Sequence, residues 1–490
     1  MRLLVFVVGA ASLGVEIAAA RLLAPYFGAS TIVWANTIAT VLVALSAGYW
    51  LGGRLADRSP SRAALCRLVL AASIALAAVP FVARPFLGAA VDALDSYSAG
   101  AFAGSLVAVV ALVGVPVALL GAVAPYALRL SLDDVGVTGS VAGGLYALST
   151  VGSLVGTFLA ALVLVPFAGT QRTFLGFAAV LALVSAPAVR RAALVVPLVI
   201  GVVLVVAPTS TKEDRDGGRV VEEVETPYQY ARVVEDDLGV RRLELNEGIA
   251  VHSKYTPGSY LTEDYWDDFL VLPLAALPRP PRRLAILGNA AGTTARAYGR
   301  YFPSTFVDAV EIDGRLSEIG RRWFGLRDGR RMRLVTADAR PFLRSTSHRY
   351  DAVFVDAYRQ PYIPFYLATR EFFSLVRSRL TARGVVVVNV GHPEGDRRLE
   401  RVLSATLRTA FPFVARDASE PTNTLLVGAS APLRPARVRA LAPAGLGGLA
   451  AEVGSRIAPA LRGGEVYTDD RAPVEWLVDR SIVRAAGRGN

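Results

Sequence analysis

Seven apolar stretches crowd the first 208 positions, near 3–22, 30–52, 64–83, 101–128, 140–166, 173–189 and 192–208. Each approaches the ~20 residues a helix needs to cross the hydrocarbon of a bilayer. In that solvent a backbone must satisfy its own hydrogen bonds, so such a region folds as packed helices. Residues 1–208 are therefore expected to form a transmembrane helical domain of about seven spans. Leu3–Ala20 follows Met1-Arg2 as a signal peptide would, but its length and the spans behind it argue for a retained helix. Gly143-Gly144 and Gly152-x-x-x-Gly156 permit close helix approach. Pro116, Pro125 and Pro166 are candidate kinks. Glu16 in the first span, with Arg21 after it, reads best as a pair near a helix end.

Arg54, Arg58, Arg62 and Arg67 gather after the second stretch, which assigns that loop and the N-terminus to the cytoplasm. The loop Gly52-Gly53-Arg54-Leu55-Ala56-Asp57-Arg58 resembles the one between the second and third helices of major facilitator transporters. Seven true spans would put the remainder of the chain outside. A cytoplasmic remainder requires one stretch not to cross, or a long one to hide a re-entrant piece. The net charge of +11 is largely arginine and fits membrane-flanking residues plus a basic soluble surface. Basic and aromatic residues are not interleaved, so no nucleic-acid partner is expected. One cysteine, Cys66, excludes an internal disulfide and a cysteine-based zinc site. His252, His348 and His392 are too far apart to make a metal cluster, and no metal is expected.

Residues 209–280 read as a polar linker and a small β subdomain. Tyr230–Val234 and Arg241–Leu245 alternate around a turn at Asp236–Gly239. Tyr260–Leu274 is predicted as a helix that opens with several acids. Residues 281–430 form the core. Leu284–Leu287 is a short apolar run suited to a buried strand, followed by Gly288-Asn289-Ala290-Ala291-Gly292 and a helical pattern over Thr293–Tyr301. Phe306–Val310 ends on Glu311, Arg333–Thr336 runs into Asp338-Ala339-Arg340, and Asp351–Val355 ends on Asp356. Strand, glycine turn, helix, strand and acid is the layout of a nucleotide-binding α/β sheet. Open parallel sheets bind ligands past the carboxyl ends of their strands, where these three acids stand. Arg370–Leu380 and Arg398–Phe411 are predicted helices, and Val385–Val390 and Thr424–Val427 strands. Residues 431–490 are a C-terminal extension.

The pattern resembles the spermidine synthase (aminopropyltransferase) family. Carrying the resemblance are Tyr228-Gln229, Arg241-Arg242-Leu243, Tyr265, the Gly288 turn, Ala309-Val310-Glu311-Ile312-Asp313, Asp338-Ala339-Arg340 and Tyr350-Asp351-x-x-x-x-Asp356. Gly14-Val15-Glu16, Leu22-Leu23-Ala24-Pro25, Tyr146-Ala147-Leu148 and Asp469-Asp470-x-Ala472-Pro473-Val474-Glu475 are similar to the fused, multi-pass type. The resemblance implies a helical membrane domain joined to a Rossmann-like domain of the class I S-adenosylmethionine-dependent kind, in the plasma (inner) membrane with its soluble part cytoplasmic. It implies decarboxylated S-adenosylmethionine as co-substrate, a polyamine acceptor such as putrescine, and contact with the lipid bilayer. A homo-oligomer is compatible with it. By carry-over, Glu311 takes the ribose hydroxyls, Asp338 the adenine amino group with Ala339 beside it, and Gln229 the nucleoside or its sulfonium side. Gly288 and Gly292 shape the turn. Asp356 is the acid beside the attacking amine, with Tyr228, Tyr265, Trp266 and Tyr358 around the acceptor.

The departures fall mostly on the amine side. The family's turn carries an acid where this chain has Ala290, and its glutamine after the tyrosine is here Trp266. The second acid after the fourth strand is missing from Asp356-Ala357-Tyr358-Arg359-Gln360-Pro361. Asp264, Asp267, Asp268, Asp469 and Asp470 are candidates to replace the lost charge. Arg359 beside Asp356 would repel a diamine and suit an anionic group. Two other readings follow: a polyamine- or cation-binding or transporting membrane protein with a degenerate nucleoside-sensing domain, and an S-adenosylmethionine methyltransferase.

Overall fold

The structure is a computed structural model describing residues 1–27, 31–94, 100–132, 138–206, 218–246, 248, 250–358, 362–478 and 480. The chain divides into two compact units, 1–213 with 223–230, and 214–222 with 231–490.

The first unit is helical. Among the described residues six helices are long and apolar enough to cross a membrane: Arg2–Phe27, Val33–Arg58, Arg62–Ala89, Gly104–Ser131, Thr138–Ala168 and Thr170–Ala188, with mean hydropathy from 1.3 to 2.7. The expected seventh stretch is only a shorter apolar helix, Arg191–Val206. The arginine-rich segment 52–58 is not a loop. It forms the last two turns of the second helix, because nothing in it breaks the helical hydrogen bonds and Gly52 lets the Ala122 backbone approach. At Pro116 and Pro166 the helix widens into single π-turns, Val110–Gly114 and Ala160–Leu164, just upstream. A proline ring clashes with the carbonyl four residues back, and the wider turn relieves it.

Gly152 and Gly156 face the first helix, where a Cβ on either would collide with the carbonyl oxygens of Phe6 and Ala10. Gly9 meets Ser149 in the same way, and Ser153 Oγ donates to the Gly9 carbonyl at 3.1 Å. Gly143 and Gly144 have open space in front of them instead. Segment 223–230 is held to these helices. The Glu225 carboxylate accepts from the Thr170 N–H at 2.9 Å and from the Thr170 hydroxyl, and Arg21 donates to the Pro227 carbonyl.

Next along the chain is a four-stranded sheet, β1 Arg219–Glu225, β2 Tyr230–Glu235, β3 Arg241–Leu245 and β4 Val251–Tyr255, in that order. The segment expected to be a helix over Tyr260–Leu274 is mostly turns; only Asp268–Val271 is α-helical, followed by a 3-10 turn. Asp267 explains the difference. Its carboxylate accepts from the backbone of Thr262 and Glu263 and from the Thr262 hydroxyl, closing a local loop that competes with helix.

The main sheet has eight strands: β5 Arg283–Leu287, β6 Phe306–Glu311, β7 Met332–Thr336, β8 Tyr350–Val355, β9 Leu380–Gly391, β10 Phe413–Asp417, β11 Asn423–Ala429 and β12 Ala458–Pro459. The order is β12-β10-β11-β9-β8-β5-β6-β7. β7, β6, β5, β8 and β9 are parallel, and β11, β10 and β12 run antiparallel at one side. Both faces are buried, so β5 reads as a continuous apolar run: Ala285 and Leu287 enter one core, Leu284 and Ile286 the other. Leu287 pairs with Val310 and Val355, and Glu311 with Thr336. This register brings four strand ends level, with the acids just past them.

Substituting Gly156 by leucine is expected to destabilise the protein by about 1–3 kcal/mol through overpacking. Thermal unfolding of the detergent-purified protein checks it; Gly143→Leu should leave the midpoint in place.

Candidate active site at the strand ends

The turn after β5 needs left-handed backbone at three positions. Gly288, Ala290 and Gly292 have φ of 87°, 45° and 93°. A Cβ on Gly288 would press into the backbone of Asp356 and Ala357, so glycine lets the turn pass over the end of β8. Ala290 carries a side chain there at some cost in strain. Its N–H donates to Glu311 Oε2 at 2.8 Å, while the Asp313 N–H donates to Oε1 at 3.0 Å. Glu311 is 6% exposed. Burial pushes its carboxyl up to about 7, opposed by these backbone donors. Beside it, Asn289 is buried and its side-chain amide has no hydrogen-bond partner among the described residues.

Asp338 caps the helix Ala339–Ser345, accepting the Arg340 N–H on Oδ1 at 2.9 Å. Its Oδ2 accepts the Tyr366 hydroxyl at 2.9 Å, a contact across 28 residues that no local pattern announces. Asp356 follows β8. Asn389 Nδ2 donates to its Oδ1 at 2.8 Å and the Tyr265 hydroxyl to its Oδ2 at 3.2 Å. Asn389 is held in turn by Asn423 Nδ2 at 2.9 Å. Burial raises the Asp356 carboxyl to about 6, against the lowering pull of Asn389, Tyr265 and Trp266. The Tyr265 hydroxyl is pushed well above the usual phenol range by burial and by Asp356, so it stays a neutral donor. The Trp266 ring lies 4.6 Å from that of Tyr265. The Tyr358 hydroxyl accepts the Gly391 N–H at 2.5 Å and donates to the Asn389 carbonyl at 3.2 Å.

Residues 265–428 match the spermine/spermidine synthase domain. A polyamine aminopropyltransferase of Vibrio vulnificus is 33% identical over 134 residues, 27% of this chain and 44% of that protein. One of Saccharolobus solfataricus is 27% identical over 202 residues, 39% of this chain and 64% of that protein. The chain thus spans less than two thirds of the length of these curated relatives. A spermidine synthase from Thermotoga maritima superposes with a TM-score of 0.38 at 17% identity, covering 55% of this chain and 88% of that one.

Within the synthase domain and its flanks, the acids proposed as replacements have other work. Asp264 pairs with Lys254 at 2.8 Å. Asp267 closes its own loop, and Asp268 pairs with Arg456 at 2.6 Å. Asp469 takes Arg340 and the Thr369 hydroxyl. Asp470 is exposed. Glu420, absent from the sequence-based candidates, accepts the Tyr265 N–H at 2.7 Å. Burial raises its carboxyl, with Asp264 adding to the rise, and the Tyr265 N–H and then Lys254 oppose it. Tyr228 is exposed and Gln229 buried, on the segment 223–230 of the first unit. Arg359, Gln360 and Pro361 lie outside the described residues. Among the described residues no group of three His, Cys, Asp or Glu side chains is placed to hold a metal ion.

Tyr265→Phe removes a donor to the Asp356 anion and is expected to move its titration above about 6. Infrared difference spectra against Asp356→Asn follow that carboxyl directly; an unmoved or lowered titration would contradict the assignment.

Proposed function

We propose that the protein is a membrane-bound aminopropyltransferase that moves an aminopropyl group from decarboxylated S-adenosylmethionine to a diamine such as putrescine. The observation that carries this reading is the half-buried Asp356 carboxylate, pushed up to about 6 and faced by Tyr265, Trp266 and Asn389, in a stretch that matches the synthase domain. An alkyl ammonium has a pKa near 10, so the acceptor arrives protonated and unreactive. Asp356 first pairs with that cation. It then takes the proton as the nitrogen lone pair attacks the carbon bound to the sulfonium. The new N–C bond forms, the C–S bond breaks with its electrons going to sulfur, and neutral methylthioadenosine leaves. A base near 6 is better matched to this than one at 3.8, since each pKa unit closed is about 1.4 kcal/mol. The Tyr265 and Trp266 rings suit the alkyl chain and its ammonium.

On the donor side, Glu311 accepts the two ribose hydroxyls and Asp338 the adenine amino group, with Ala339 beside it. Asn289 supports this half. A buried amide without partners costs about 1–3 kcal/mol per group, which a ligand's polar groups relieve. The membrane part of the reading is supported by the six long apolar helices among the described residues. After six crossings the chain returns to the side where Arg54, Arg58, Arg62 and Arg67 gather, the cytoplasm by the positive-inside rule.

Asp356→Asn is expected to cut transfer by about 10²–10⁴-fold while methylthioadenosine binding persists. Turnover that survives the substitution contradicts the base assignment. Ribose hydroxyls favour the ionised form of Glu311, so nucleoside binding below about pH 7 should release a proton. Affinity then rises with pH and levels off above 7. Calorimetry in buffers of different ionisation enthalpy measures that proton, and Glu311→Gln should abolish its release.

A further inference from the structure

Glu420 and Asp356 stand at opposite ends of Tyr265. Glu420 Oε1 accepts the Tyr265 backbone N–H at 2.7 Å, and Asp356 Oδ2 accepts its hydroxyl at 3.2 Å. One tyrosine side chain therefore separates two carboxylates, with the Trp266 ring packed 4.6 Å from the tyrosine ring as an apolar companion. The cation that acts on Glu420, Lys254, is already engaged by Asp264 at 2.8 Å and the Thr262 carbonyl at 2.8 Å. That ion pair cancels itself, and among the described residues Glu420 has no ion-pair partner of its own. Its position is built. Glu420 and Asn423 close the turn Glu420-Pro421-Thr422-Asn423 by mutual backbone hydrogen bonds of 3.1 and 3.3 Å. Asn423 also braces Asn389, which holds Asp356. A single turn thus sets both carboxylates.

We propose that Glu420 anchors the far ammonium of a diamine whose near amine reacts at Asp356, the alkyl chain lying along Tyr265 and Trp266. This rests on the aminopropyl-transfer reading and assigns the preference for an acceptor with two cationic ends to a residue outside the expected acids. A diammonium offers a cation to each of the two carboxylates, whereas a monoamine gains nothing at Glu420.

The test uses the full chain in detergent with decarboxylated S-adenosylmethionine, putrescine and butylamine. Glu420→Gln keeps an acceptor for the Tyr265 N–H and removes the charge. The ratio of kcat/KM for putrescine over butylamine is expected to fall about tenfold or more, through the KM for putrescine, as loss of a charge-assisted hydrogen bond implies. Calorimetric binding of methylthioadenosine to the variant reports that the site is folded. An unchanged ratio, or an equal loss on both amines, overturns the proposal, because a residue that only positions Tyr265 affects both alike. If the unaltered protein binds methylthioadenosine but modifies neither amine, the transfer reading itself fails and the role of Glu420 with it.

Discussion

A buried carboxylate held by backbone N–H groups organises the synthase domain. Glu311 ends β6 and takes the N–H of Ala290 from the turn after β5 and that of Asp313 from its own strand end. The first of these requires the turn to double back in left-handed conformations at 288, 290 and 292. The same turn crosses so close to β8 that Gly288 has no room for a side chain beside Asp356. Glu311 and Asp356 are therefore tied through one short stretch of backbone. Parallel register keeps β5, β6, β7 and β8 level and makes that possible.

The two halves of the site differ in how they are made. Glu311 and Asp338 are fixed by groups close in sequence, by strand ends and a helix cap. Asp356 depends on partners brought from far along the chain. Tyr265 comes from before the sheet, and Asn389 from β9 with Asn423 behind it. Two of the three departures from the family's pattern, Trp266 and the loop after Asp356, fall on this second half. Trp266, in place of a glutamine, still lowers the Asp356 carboxyl.

This division also explains what could be read from the residues alone. The apolar runs of β5, β6 and β8, the glycine turn and the acids after each strand are local patterns, and they stand where their spacing implied. Tyr366 on Asp338, Asn389 on Asp356 and Glu420 on Tyr265 bridge 28, 33 and 155 residues, distances over which no periodicity carries information. The helix expected at Tyr260–Leu274 failed because Asp267 turns its carboxylate onto the preceding backbone. The replacement acids were plausible by composition, yet arginines and lysines from distant segments had claimed Asp264, Asp268 and Asp469. In the helical unit, Gly152-x-x-x-Gly156 and Gly143-Gly144 read alike as packing stripes, and only contact with a partner helix separates them.

The most direct measurement is the product made by the detergent-purified protein from decarboxylated S-adenosylmethionine and a panel of amines, read by mass spectrometry, with intact S-adenosylmethionine run beside it. The account predicts methylthioadenosine and an aminopropylated diamine in equal amounts, and no methylated product from the intact donor. Methyl transfer from intact S-adenosylmethionine, or nucleoside binding with no transfer to any amine, would contradict it.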